Sequence, residues 1–163
     1  MKNLIVMRHA EAAFGYADHD RPLTDYGQSQ ARVMGSMLAQ RFPVIDYVWV
    51  SDALRTRQTL AGLEVGGARF GQVQVSPDLY DGSHLDLVHC VHGSPPECAA
   101  VLIVAHEPGV SSVVSYLGDT STPVTRTLMR GFSPATVGIA QMDFPWGAVE
   151  MGMLPVWEKL STE

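Results

Sequence analysis

The sequence has few cysteines, few lysines and no long apolar stretch, and each shortage argues against a class of protein. Its two cysteines, Cys90 and Cys98, show neither a metal-binding nor a disulfide spacing, so we expect two reduced thiols in a cytoplasmic protein. No signal peptide is visible, because Arg8 interrupts the short apolar run near the start of the chain. No apolar stretch is long enough to cross a bilayer. We therefore expect neither a secreted nor a membrane protein.

Positive charge is also scarce. The net charge is −6, and only two of the eleven basic residues are lysines. No basic patch is available to neutralise a nucleic-acid backbone, so we expect no nucleic-acid partner. Four of the arginines in the first 57 residues, Arg8, Arg21, Arg55 and Arg57, lie close to the expected ligand site. If the protein handles phosphate, we expect a few focused arginines to bind it.

The 163 residues, 46% of them hydrophobic, suffice for one domain (1–163) with a sizeable core. Strand patterns alternate with helix patterns, which predicts an α/β three-layer sandwich: a mostly parallel mixed sheet flanked by helices. The predicted strands are Leu4–Met7, Val44–Val50, a short edge strand around Val73 and Val75, Val101–Ala105, and a closing antiparallel pair, Thr136–Met142 and Ala148–Met153.

Four helices are predicted between these strands. The first begins after Thr24 as N-cap and ends before Pro43, and the second is capped by Ser51 or Asp52. The other two cover Leu85–His92 and Gly109–Leu117. The stretch 118–134 is rich in Gly, Ser, Thr and Pro and is predicted to be a loop.

Two of the apolar strands are each followed by a histidine. Arg8 and His9 follow the first strand, and His106 follows the strand 101–105. Because the carboxyl ends of parallel strands meet at one edge of a sheet, we expect both imidazoles at the edge where ligands bind in this fold class. The arginine beside His9 indicates an anionic ligand, most commonly a phosphate.

Two further segments are expected at the same edge. A helix that begins after the second strand places Arg55 within about one turn of the edge, with Arg57 facing away. Glu107, Pro108 and Gly109 suit a tight turn into a helix whose amides would point at an anion beside His106. The alternative for each histidine is a structural role at the end of a strand.

One region concentrates possible metal ligands: His84, His89, Cys90, His92 and Cys98. Their spacing matches no common zinc pattern, and the leucines and valines among them predict a helix that faces the core. We therefore expect no metal and no other cofactor.

Taken together, the motifs resemble those of the histidine phosphatase superfamily, in its phosphoglycerate mutase-like branch. They occur in the family's order: Arg8-His9, Pro22-Leu23-Thr24-x-x-Gly27, Ser51-x-x-x-Arg55-x-x-Gln58-Thr59 and His106-x-Pro108-Gly109. The Arg-His-Ala-Glu-Ala opening and Asp20-Arg21-Pro22-Leu23-Thr24 look most like phosphohistidine phosphatases of the SixA type. The resemblance runs from Leu4 to about Leu117.

The resemblance assigns roles to these residues. It implies that His9 is the nucleophile and carries a phosphohistidine intermediate. Arg8, Arg55 and His106 would bind the phosphoryl oxygens and stabilise the transition state. Arg21 would be a secondary phosphate or substrate contact. Asp81 stands where larger relatives carry the general acid, and a solvated loop aspartate is the other interpretation of it.

The predicted activity is a metal-independent, cytoplasmic phosphatase acting on phosphohistidine in a protein. The alternatives are a small-molecule phosphomonoesterase, a phosphoglycerate mutase-like enzyme, or a non-catalytic phosphate-binding module. The segment between Arg55 and His106 is short, which predicts an open site suited to a protein substrate. A mutase would need a lid that excludes water. The sequence does not predict an oligomeric state.

Overall fold

The apolar runs of the sequence form the centre of a six-stranded sheet. The computed structural model describes residues 1–163 and has the strand order β3-β2-β4-β1-β5-β6. The first four strands run parallel, β5 is antiparallel to β1, and β6 is antiparallel to β5. Their bounds are β1 (Lys2–Arg8), β2 (Ile45–Ser51), β3 (Phe70–Ser76), β4 (Ala100–Ala105), β5 (Val137–Met142) and β6 (Glu158–Leu160).

Alternate residues of the central strands build two separate cores, because successive side chains of a strand point to opposite faces. Leu4 and Val6 belong to one core, and Ile5 and Met7 to the other. Two helices cover the Ile5 face and three cover the Leu4 face: α1 (Asp25–Arg41) and α2 (Leu54–Val65), then α3 (His84–His92), α4 (Gly109–Leu117) and α5 (Pro123–Arg130). The predicted three-layer α/β sandwich is confirmed. None of the helices is long and apolar enough to cross a membrane.

The first helix begins and ends as the sequence predicts. The Thr24 hydroxyl accepts a hydrogen bond from the Gly27 amide at 2.9 Å and donates to the Glu11 carboxylate at 2.8 Å. This cap satisfies one of the free amides of the first turn and ties α1 to the segment that follows β1.

The predicted cap of α2 is wrong. The N-cap is Ala53, which offers no side-chain hydrogen bond. The Ser51 hydroxyl instead contacts His106, and Asp52 supplies its main-chain carbonyl to the Arg57 side chain. Both residues proposed as caps are therefore used elsewhere.

Two predictions for the last quarter of the chain are also wrong. The stretch 118–134 contains α5, capped by the Thr122 hydroxyl, which accepts from the Thr125 amide at 3.2 Å. Residues 148–153 form no strand; a 3₁₀ turn spans Trp146–Ala148, and the partner of β5 is the later strand β6. The helix has a local signal that the prediction missed, Thr122 as N-cap followed by Pro123, whereas the short strand β6 carries no local pattern.

Two glycines of α1 allow its backbone to touch neighbouring segments. A Cβ on Gly27 would lie 2.1 Å from the Glu11 carbonyl oxygen, and one on Gly35 would lie 2.1 Å from the Leu63 carbonyl oxygen. Neither neighbour is a flexible side-chain end, so any larger residue forces the backbones apart. Gly27 thereby fixes α1 near the end of β1, and Gly35 fixes α1 against α2.

We predict that Gly35→Ala lowers the free energy of unfolding by about 1–3 kcal/mol, because the added methyl group separates α1 from α2. Urea titration followed by circular dichroism measures this. Gly147→Ala is the matched control, since no atom lies within 4 Å of a Cβ at that position. Equal stability of the two variants would contradict the close approach.

Candidate active site

The parallel pairing of β1 with β4 brings the two strand-end histidines together. Arg8 is in register with Ala105, and the His9 amide donates to the Ala105 carbonyl at 3.1 Å. The imidazole centroids of His9 and His106 are 5.3 Å apart, and only 7% and 9% of these residues is exposed. The expectation that both imidazoles meet at the carboxyl edge of the sheet is confirmed.

A single hydrogen bond defines the chemistry of His9. Its Nδ1 lies 2.6 Å from the Ala10 carbonyl oxygen, which can only accept, so we assign the ring proton to Nδ1. The other nitrogen, Nε2, then carries the free lone pair. Burial, helped by the positive charges of Arg55 and Arg8, lowers the pKa of His9 to about 4. His9 is therefore neutral at physiological pH.

His106 is also neutral and has the same tautomer, but the nitrogen that is bonded within the protein is Nε2 instead of Nδ1. Its Nε2 lies 2.7 Å from the Ser51 hydroxyl, which also accepts a long hydrogen bond from the Ala53 amide. We assign the hydroxyl proton to the bond with Nε2, which leaves the imidazole proton on Nδ1. Burial, with His9 and Arg55 as further causes, lowers the pKa of His106 to about 3. Its Nδ1–H is then a neutral donor.

Arg8 is positioned by the C-terminal part of the chain. Its Nη1 donates to the Phe132 carbonyl at 2.8 Å, and the Phe132 amide donates to Glu107 Oε2 at 2.9 Å. The other oxygen of Glu107 accepts from the Ser111 amide in the first turn of α4 at 2.9 Å. The expected use of these amides for an anion is therefore wrong in part, because the Glu107 carboxylate occupies the Ser111 amide.

Arg55 lies in the first turn of α2, as predicted, and is 6% exposed. Its Nη1 donates to the Asp18 main-chain carbonyl at 2.6 Å, and its Nη2 to Asp18 Oδ2 at 3.3 Å. Two neighbouring motif residues bind main-chain amides of the segment that follows β1. The Thr59 hydroxyl accepts from the Ala10 amide, and the Gln58 side-chain oxygen accepts from the Leu23 amide. The spacing of the motif thus places the Arg55 guanidinium against Asp18, and the Thr59 and Gln58 side chains against the segment that follows β1.

Three buried nitrogens at this edge have no hydrogen-bond partner in the protein: Arg8 Nε, Arg55 Nε and His106 Nδ1. Buried donors are rarely left unpaired in folded proteins. A tetrahedral oxyanion between the two histidines offers several acceptor oxygens to these donors. Next to this set, a cavity of about 470 Å³ extends from Arg8 and His9 to Phe14 and Arg21.

The structure places Arg21 and Asp81 differently. Arg21 lines the cavity, where its Nε donates to the Ala13 carbonyl at 2.8 Å and its Nη1 to Asp18 at 3.2 Å. Asp81 is exposed and has a left-handed φ of 56°. Its neighbour Tyr80 lies against the site, with its ring centroid 5.7 Å from that of His106. No group of three or more His, Cys, Asp and Glu side chains is arranged to hold a metal ion.

The sequence analysis assigns no functional role at the site to four residues that contact it: Asp18, Ser51, Tyr80 and Glu107. Asp18 accepts hydrogen bonds from Tyr80, Arg21 and Arg55. The Tyr80 hydroxyl is the main cause of its pKa of about 2, and the two arginines contribute. Ser51 begins the motif that contains Arg55, and Glu107 is the variable residue directly after His106, so their positions in the sequence are a usable signal. Asp18 and Tyr80 are 62 positions apart, and nothing in the sequence links them.

We predict that Ser51→Ala lowers kcat/KM for a phosphorylated substrate about tenfold, because His106 Nε2 loses the partner that fixes its tautomer. Steady-state kinetics on p-nitrophenyl phosphate measure this. Ser115→Ala, an exposed position on α4, is the control. Wild-type kinetics for Ser51→Ala would show that the tautomer of His106 does not depend on this bond.

The lowered pKa values also predict how stability depends on pH. In the unfolded chain both histidines take up a proton near pH 6.5, whereas in the folded protein they stay neutral until about pH 4 and 3. The unfolded state thus binds more protons between these values, so stability falls as the pH drops from about 6.5 to 4. Between pH 7 and 4.5, the free energy of unfolding should fall by about 2 kcal/mol less in His106→Asn than in the wild type. Urea titrations at the two pH values test this, and an equal loss in both proteins would contradict it.

Comparison with known proteins agrees with this geometry. Residues 4–87 match the histidine phosphatase superfamily (branch 1). The phosphohistidine phosphatase SixA of Escherichia coli K12 is 34% identical over 125 residues, which cover 74% of this chain and 76% of that protein. A proposed phosphohistidine phosphatase SixA from Nakamurella multipartitia superposes with a TM-score of 0.84 at 29% identity, covering 99% of this chain and 97% of that one. The protein histidine phosphatase SixA in complex with tungstate gives 0.79 at 26% identity, covering 98% and 96%. The chain therefore belongs to the histidine phosphatase superfamily, branch 1, and within it is similar to the SixA proteins.

Proposed function

We propose that this phosphatase removes phosphoryl groups from histidine side chains of proteins, without a metal, through a covalent phosphohistidine on His9. The observation that carries the proposal is the fixed, neutral His9 beside three buried nitrogens that lack a partner. A nucleophile with a free lone pair and a set of donors for oxygen is the combination that phosphoryl transfer requires. The similarity to the SixA phosphohistidine phosphatase supports the same reaction.

The proposed reaction has two displacements. In the first, His9 Nε2 forms a bond to phosphorus, and the bond from phosphorus to the leaving group breaks. The His9 ring becomes cationic, and the Ala10 carbonyl stabilises this charge through the Nδ1 proton. Arg8, Arg55 and His106 bind the phosphoryl oxygens as charge develops on them. In the second, water attacks phosphorus, the bond to Nε2 breaks, and phosphate and neutral His9 are restored.

The proposed substrate is a protein because the helix in the segment between Arg55 and His106 packs into the core and does not form a separate lid. The segment between α2 and β4 includes α3, whose Leu87, Val88 and Val91 pack into the core. Phe14 at the far end of the cavity is 83% exposed, with the Arg21 guanidinium 4.7 Å from its ring centroid. Arginine and aromatic side chains are enriched where proteins bind one another. A mutase, by contrast, needs a closed site to exclude water.

Two further parts of the proposal concern the cellular compartment and the roles of Asp81 and Arg21. Cys90 and Cys98 are unpaired and buried, which supports a reducing compartment such as the cytoplasm. Asp81 is proposed as the general acid for substrates with a leaving oxygen, and Arg21 as a contact for phosphate or substrate. A non-catalytic binding module is disfavoured, because phosphate binding alone needs no oriented lone pair on His9.

We expect incubation with a ³²P-labelled phosphohistidine protein, followed by a rapid alkaline quench, to trap an acid-labile and alkali-stable phosphoenzyme. His9→Asn should form none, because it lacks the attacking nitrogen. His89→Asn, exposed on α3, should behave like the wild type. Activity should persist in excess chelator. A wild-type protein that binds phosphate but forms no phosphoenzyme and turns over no substrate would refute the proposal.

A rate comparison on one preparation tests the substrate class. We expect kcat/KM for a phosphohistidine protein to exceed that for p-nitrophenyl phosphate and 3-phosphoglycerate, because the site is open and the imidazole leaves readily. A higher value for 3-phosphoglycerate would favour the small-molecule alternative.

A further inference from the structure

A carboxylate contacts two arginines of the site, where an anion-binding site would not be expected to have one. Asp18 lies in the 3₁₀ turn Asp18–Asp20, and its side chain is 55% exposed. It accepts from Arg55 Nη2 at 3.3 Å and from Arg21 Nη1 at 3.2 Å. Two arginines of the site thus share their charge with Asp18. A carboxylate here weakens the attraction for phosphate, so its presence calls for a compensating role.

The position of Asp18 is fixed although its turn is exposed. The Tyr80 hydroxyl donates to Oδ2, and the Tyr80 ring packs edge-on against His106. Arg55 Nη1 donates to the Asp18 main-chain carbonyl at 2.6 Å, so both the backbone and the side chain are held. Its pKa of about 2 keeps the carboxylate charged at any pH at which the protein works.

The bonds to Arg55 and Arg21 hold the exposed Asp18 carboxylate on the solvent side of the site. In phosphoryl transfer the attacking and leaving atoms lie roughly in line with phosphorus. His9 is buried, so a leaving group in line with it would exit outward, towards solvent. A group that leaves in this direction would leave in the field of the fixed negative charge on Asp18.

We propose that Asp18 is a specificity-determining residue that favours phosphoryl substrates whose leaving group is cationic until the bond to phosphorus breaks over those that release an anion. This inference rests on the proposed phosphatase function and narrows its substrate class. A protonated phosphoimidazole gains from a nearby carboxylate, whereas a departing phenolate or alkoxide is repelled by it.

The chemistry balances without a general acid in the protein. The substrate imidazole takes a proton from solvent on the ring nitrogen that does not carry phosphorus, and Asp18 stabilises the resulting cation. His9 Nε2 then bonds to phosphorus, and the electron pair of the broken P–N bond stays on the substrate ring. That ring leaves as neutral imidazole. Asp18 thus stabilises the positive charge on the substrate ring, as the Ala10 carbonyl stabilises the positive charge on the His9 ring.

Asp18→Asn tests the inference with two small probes, phosphoimidazole and p-nitrophenyl phosphate, whose leaving groups differ in charge. The ratio of kcat/KM for phosphoimidazole to that for p-nitrophenyl phosphate should fall about three- to tenfold, a range suited to a half-exposed charge. Asp18→Glu should restore most of the ratio. Asp20→Asn, on the same turn, should leave it unchanged.

Salt supplies a measurement that needs no variant. In the wild type the same ratio should decline as sodium chloride is raised, because ions screen the charge of Asp18. An equal loss for both substrates in Asp18→Asn would overturn the inference and reduce Asp18 to a support for Arg55. So would a wild-type ratio that salt does not change. A wild-type protein that hydrolyses neither probe would instead count against the proposed function.

Discussion

The site depends on one constraint, the parallel register of β1 with β4. Because Arg8 pairs with Ala105, the chain leaves both strands at the same level and delivers His9 and His106 side by side. The register is fixed by burial: β4 is buried along its whole length, and alternate residues feed two different cores. A slip of one residue would reverse the faces of the strand and exchange the side chains that fill the two cores, so neither core would pack as well. Burial of apolar side chains thus sets the distance between the His9 and His106 imidazoles.

Burial also sets the protonation of the site. Removing an imidazole from water penalises its charged form, and the nearby guanidinium groups of Arg8 and Arg55 raise the penalty for His9. The same positive field that would attract a phosphate therefore keeps His9 uncharged. A phosphate dianion would offset that field. In the proposed reaction the pocket would thus best accommodate a cationic His9 when the phosphohistidine forms.

Sequence predicts the part of this arrangement that is built locally. Apolar runs, the Thr24 cap and the motif spacings lead to the central strands, to α1 and to the cluster of His9, Arg8, Arg55 and His106. Helix α5 is missed because Thr and Pro are also typical of loops, although Thr122 and Pro123 begin the helix; distant bonds from the Thr125 hydroxyl to Pro155 and Trp157 add to its support. Strand β6 is missed because three residues, two of them charged, carry no pattern and are strand only through pairing with β5. Asp18 and Tyr80 are missed because they meet only in the folded chain.

The bridge from Glu107 through Phe132 to Arg8 makes the unmarked end of the chain a structural partner of the first strand. All the recognisable motifs lie before residue 118, and the family match ends at residue 87. A shortened protein that keeps every motif would nevertheless lose the carbonyl on which the Arg8 guanidinium rests. It would also lose β5, which covers the outer edge of β1. The smallest functional unit is therefore larger than the region that carries the signature, and protein engineers who graft the site need to transplant both.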